Sequence, residues 1–100
     1  MDDENQILIP ESFMALFLAP GRSKPRAPRD VVQARYELCE DMAQLLTQTA
    51  STLQLSLGIT EADVLQRVGQ GLRVPDSAFT QEEAAWVLRR LAELLDWMPE

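Results

Sequence analysis

Three features of this sequence predict an all-α fold. Asp30 to Leu57 runs without proline or glycine, after Pro20, Pro25 and Pro28 and before Gly58. Thr60 to Asp63 and Thr80 to Glu83 have the spacing of helix-start capping boxes. Apolar residues in these regions recur at steps of three and four, the period of a helix face. The architecture expected is a small helical bundle, with one long central helix and three shorter helices. It forms a single domain over 1–100, with a frayed acidic tail over 1–6 and a basic, proline-rich linker over 20–28.

Taken in order, Ile7 to Pro10 is expected to be extended, because Pro10 biases Ile9 away from helix and the alternating bulk suits a strap across a groove. Glu11 to Ala19 then reads as a short helix, with Glu11 at its positive end. Phe13, Met14, Leu16, Phe17 and Leu18 leave that helix almost no polar face, so it must be covered by its own domain or by a second subunit.

Pro20 to Pro28 is the sharpest change of composition. Arg22, Lys24, Arg26 and the adjoining Arg29 gather basic charge there. One reading is a solvated crossover with an extended, polyproline-like path. The other is a platform for a phosphate, a nucleic acid or an acidic partner, although no aromatic is interleaved for base stacking.

The central helix places Val32, Cys39, Met42, Ala43, Leu46, Ala50, Leu53 and Leu57 on one side, flanked by Tyr36 and widened by Leu38 and Leu45. Such an arc, roughly half the circumference, exceeds the ~100° that one packing partner needs. Arg35 projects from the apolar side, either burying its stem or anchoring an interface. Glu37, Glu40, Asp41, Gln44, Gln48 and Ser51 form a solvated, negative face. At ~1.5 Å per residue the helix would be about 42 Å long, so it projects, breaks or pairs with a second chain. The run Thr47 to Thr52 has the weaker helix propensity and is the expected place for a bend.

Gly58 is a natural left-handed stop. Val64, Leu65, Val68 and Leu72 then mark a helix ending near Gly69 to Gly71. The last helix starts after Thr80 and runs to about Trp97. Ala84, Val87, Leu88, Leu91, Leu94, Leu95 and Met98 form its core stripe. Trp86, Arg90, Glu93 and Trp97 fall nearly opposite. Either the two tryptophan rings cap the domain edge beneath the N-terminal strap or, Trp and Arg being enriched in interface hot spots, Trp86, Arg90 and Trp97 join Phe13 and Phe17 as the candidate contact residues.

Composition restricts the chemistry. With 46% apolar residues the chain should pack rather than stay disordered, and a net charge of −7 disfavours nucleic acid and anionic membranes. The acidic start is unlike a secretory signal, and the longest apolar run is too short to span a bilayer, so a cytoplasmic location is expected. There is no histidine and one cysteine. The commonest general base, most metal sites and a disulfide framework are thereby removed, and no catalytic residue, metal or cofactor is assigned. Glu37, Glu40 and Asp41 alone would make an open, one-sided cation site. No phosphate-cradling or nucleophile-elbow motif is present.

Ile9-Pro-Glu-Ser-Phe13, Ala34-Arg-Tyr-Glu-Leu-Cys-Glu-Asp41 and Trp86-Val-Leu-Arg-Arg-Leu-Ala-Glu93 carry a resemblance to a group of short, uncharacterised proteobacterial proteins. Some of these have names suggesting an ATPase with chaperone activity. That would require a phosphate-binding loop, and this chain has none. The residues themselves favour a non-enzymatic interaction module, with a second copy of the chain or another protein as partner. The alternative is a small regulator that holds nucleic acid or a phosphorylated ligand through Arg22, Lys24, Arg26 and Arg29.

Overall fold

A computed structural model describes residues 8–19, 21 and 24–97. The fold is all-α: among these residues it contains one long helix, three shorter ones and no strand. The chain divides into two compact units, Met1–Leu38 and Cys39–Glu100. The 1–6 tail, Ile7, Arg22 and Met98 lie outside the described residues.

In the first unit, α1 (Glu11–Met14) is a single turn that tightens into a 3-10 turn over Ala15–Phe17. The helix expected to reach Ala19 is therefore shorter. Its start is organised by Pro10, whose carbonyl accepts from the N–H groups of Phe13 and Met14, both at 3.0 Å. Its end is organised from the proline-rich segment. The Arg26 backbone N–H donates to the Phe17 carbonyl at 2.6 Å, and Arg26 Nη2 donates to the Leu16 carbonyl at 2.7 Å. Carbonyls at a helix end lack partners within the helix, and a guanidinium answers both that need and the negative end of the helical dipole. Leu18 and Pro25 form an isolated antiparallel bridge, with Gly21 at φ 77° in the turn between them. The segment read as an extended crossover thus folds back on the turn it follows.

Helix α2 (Arg29–Leu57) is unbroken. The bend expected at Thr47 to Thr52 does not interrupt it. The Thr47 hydroxyl donates to the Gln44 carbonyl at 2.7 Å, inside the helix. Ala50, inside this run, and Ala43, one turn before it, are fully buried and hold that stretch in place. Gly58 ends the helix at φ 63°, its N–H donating to the Gln54 carbonyl at 2.8 Å.

Helix α3 (Glu61–Leu72) starts on the Thr60 hydroxyl, which accepts from the Asp63 N–H at 3.1 Å. It passes through the glycines at which the sequence suggested a stop. Gly69 is buried at the α3–α4 contact: a Cβ there would lie 2.9 Å from Leu88 Cδ1 and 2.8 Å from Arg73 Nη1. This glycine serves close approach of helix α4 (Gln81–Leu95) rather than termination.

Helix α4 opens with a complete capping box. The Thr80 hydroxyl accepts from Glu83 N–H, and Glu83 Oε1 accepts from Thr80 N–H, each at 3.0 Å. It ends at Leu95, not Trp97, because Asp96 is left-handed at φ 60°. The Trp97 N–H then reaches back to the Ala92 carbonyl at 2.8 Å, a Schellman-type closure. Buried Glu83, Ala84, Trp86, Val87, Leu91 and Ala92 occupy roughly two-thirds of the circumference of α4 at 3.6 residues per turn. It is far more enclosed than a one-sided stripe would make it.

Candidate interaction site

Of the residues expected to meet a partner, Phe13 and Phe17 lie in the first unit and Trp86, Arg90 and Trp97 in the second. Phe13 has no exposed area; its ring centroid is 5.6 Å from those of Phe17, tilted, and Tyr36, edge to face. A ring with no free area offers a second chain nothing further to bury, so Phe13 belongs to the core. Phe17 is half-buried. Trp86 is only 8% exposed and is likewise a core residue. The sequence placed it opposite the α4 stripe, but that helix is enclosed on most sides. Trp97 stays half-buried just beyond the end of α4.

Arg90 is held by two carboxylates. Its Nε and Nη2 donate to Glu40 Oε1 and Oε2 at 2.8 and 3.1 Å, a bidentate pair between α4 and α2. Nη1 reaches Glu93 Oε1 at 3.2 Å. Glu40 therefore leaves the solvated face on which the sequence placed it: its side chain is 18% exposed, and that of Arg90 32%. Burial pushes the Glu40 carboxyl up. The Arg90 hydrogen bonds, the Gln44 amide at 2.8 Å and the Arg90 charge together outweigh that and hold it below its ordinary value.

A carboxyl depressed in the folded state adds stability above its unfolded pKa and loses it as pH falls through the folded one. Glu40→Gln should accordingly cost about 1 kcal/mol at pH 7, discounted for partial exposure. The deficit should shrink as pH drops below the ordinary carboxylate range. Urea midpoints of both proteins between pH 7 and pH 3 measure this; a gap independent of pH would contradict the pairing.

The basic residues are also dispersed in role. Arg26 caps the 3-10 turn, Lys24 is exposed and Arg29 begins α2. Arg22 lies outside the described residues. Among the described residues no group of three or more His, Cys, Asp or Glu side chains is placed to hold a metal ion, and no helix is long and apolar enough to cross a membrane.

A different surface emerges on the C-terminal half of α2. Leu45, Gln48, Thr49, Thr52 and Leu53 line an open groove of about 350 Å³. Their spacing, i, i+3, i+4, i+7 and i+8, is that of a helix face which packs on another helix. The face is turned roughly 130° from the buried Cys39, Ala43 and Ala50 at 100° per residue. Leu45 is 67% exposed. The residue that widened the apolar arc in sequence is thus left uncovered by the unit that contains it.

One signal in the sequence could have drawn attention to this face: residues 42–60 carry no charged side chain, in a chain where a quarter of the residues are charged. No protein-family model, curated protein or solved structure matches the chain.

Proposed function

We propose that this protein is a non-enzymatic, cytoplasmic protein–protein interaction module that works as a homodimer. The observation that carries the reading is the groove of Leu45, Gln48, Thr49, Thr52 and Leu53, a face of helix-packing period that, among the described residues, is lined by α2 alone. Single exposed leucines are ordinary on protein surfaces; a leucine at each end of a helix-period groove is a packing surface. Further support comes from the chemistry of the chain, which has no histidine and one cysteine, that cysteine being fully buried. The surface-exposed groups concentrated on the groove are those of recognition, not of bond-making.

Absolute mass by light scattering, over a dilution series of the full chain, tests the reading. A mass of twice 11.3 kDa that falls towards 11.3 kDa only on dilution is the expected result. A mass of 11.3 kDa at every concentration up to the millimolar range removes the homodimer.

A further inference from the structure

Resting on that reading, we infer that the occupant of the α2 groove is the same groove of a second copy, with the two α2 segments crossing antiparallel about a two-fold axis beside Thr49. Leu45, Thr49 and Leu53 form one i, i+4, i+8 ridge, and Gln48 and Thr52 form the next; the groove lies between them. Helices pack by laying such ridges into such grooves, and ridges of this i±4 class interdigitate with their own kind. The ridge is symmetric about its middle: Leu45 and Leu53 stand four residues to either side of Thr49. A two-fold axis at Thr49 therefore lays Leu45 of each copy against Leu53 of the other, and every leucine finds a leucine.

Charge selects a second copy over an unrelated partner. An isologous contact brings each residue close to its own duplicate, so any charge within it meets a like charge. This chain carries −7 overall, yet α2 between Asp41 and its end at Leu57 is wholly uncharged. The exposed polar groups that line the groove, Gln48, Thr49 and Thr52, are an amide and two hydroxyls. Each both donates and accepts hydrogen bonds, so each can satisfy its own copy, as a lysine or a glutamate cannot. A face built to recognise a charged partner would carry complementary charge; this one carries none.

Two sets of variants in the full chain test the geometry, with circular dichroism confirming that each remains folded. Leu45→Glu should raise the dimer dissociation constant by roughly 100-fold, since two leucine contacts are lost per dimer. Adding Leu53→Lys to the same chain should restore the dimer, because each Glu then faces a Lys of the other copy. Thr49→Cys should form an intermolecular disulfide readily under mild oxidation, whereas Ser51→Cys, exposed on another side of α2, should not. A dimer that tolerates Leu45→Glu and does not cross-link through Thr49→Cys uses another surface, which overturns this inference and leaves the homodimer standing. A dimer lost in Leu45→Glu but not regained with Leu53→Lys overturns the antiparallel register. A chain that is monomeric at all concentrations overturns both the inference and the reading on which it rests.

Discussion

Trp86→Glu should unfold the protein rather than split a dimer into folded monomers. The indole is 8% exposed on a helix whose buried residues span most of its circumference. Truncating a buried tryptophan to alanine costs about 3–5 kcal/mol in lost transfer energy and residual cavity. A glutamate adds the desolvation of a carboxylate that either stays charged without a designed partner or takes up a proton at neutral pH. Set against the ~5–15 kcal/mol that holds a typical domain together, that total removes most or all of the stability. Thermal melts followed by circular dichroism will show it as a large fall in Tm or the loss of a cooperative transition. Trp86→Phe, which keeps an aromatic body in the site, should retain a cooperative melt. A Trp86→Glu variant with an unchanged melt and half the mass would return Trp86 to the surface role that helix periodicity suggested.

The reasons some features were legible and others were not are physical. Capping is local chemistry, so the reciprocal Thr80–Glu83 bonds and the Thr60 cap could be read from side chains three residues apart. The left-handed stop at Gly58 is equally local. What a residue packs against is not. Gly69 looks like a terminator in sequence, but its missing side chain admits Leu88 from a helix that begins only after Thr80. Trp86 looked like a surface residue because a helical wheel displays one helix at a time and cannot show how much of that helix the fold buries. Glu40 and Arg90 are fifty positions apart in the chain, and nothing short of the fold announces that they pair. Arg26 is a similar case: its charge suggested a ligand, while its guanidinium and its backbone both go to carbonyls at the end of the 3-10 turn. The groove on α2 was half legible. Leu38 and Leu45 made the apolar arc too wide for one partner, but only the fold shows which part of the arc stays open.

The other large loss of stability is expected at Phe13. Helix α1 is a single turn, far below the ~12 residues an isolated helix needs to persist in water, so side-chain packing must hold it. Phe13 is the buried residue of that turn, in contact with the rings of both Phe17 and Tyr36. Phe13→Ala removes both ring contacts at once and should cost about 3–5 kcal/mol. Phe17→Ala deletes a half-buried ring and only one of these contacts, so its cost should be clearly smaller. The two effects can be separated from global unfolding by hydrogen exchange. The amides of Phe13, Met14 and Leu18, which donate to Pro10 and Ala15 carbonyls, should lose protection before those of α4 do. Tryptic cleavage at Arg26 should also accelerate, because the 3-10 turn that engages its guanidinium would no longer be held. Phe13→Leu, which retains most of the buried volume, should recover much of the protection. If Phe13→Ala leaves both the exchange of these amides and the cleavage at Arg26 unchanged, then Phe13 does not hold the turn, and the order of residues 11–18 must come from the hydrogen bonds of Pro10 and Arg26 alone.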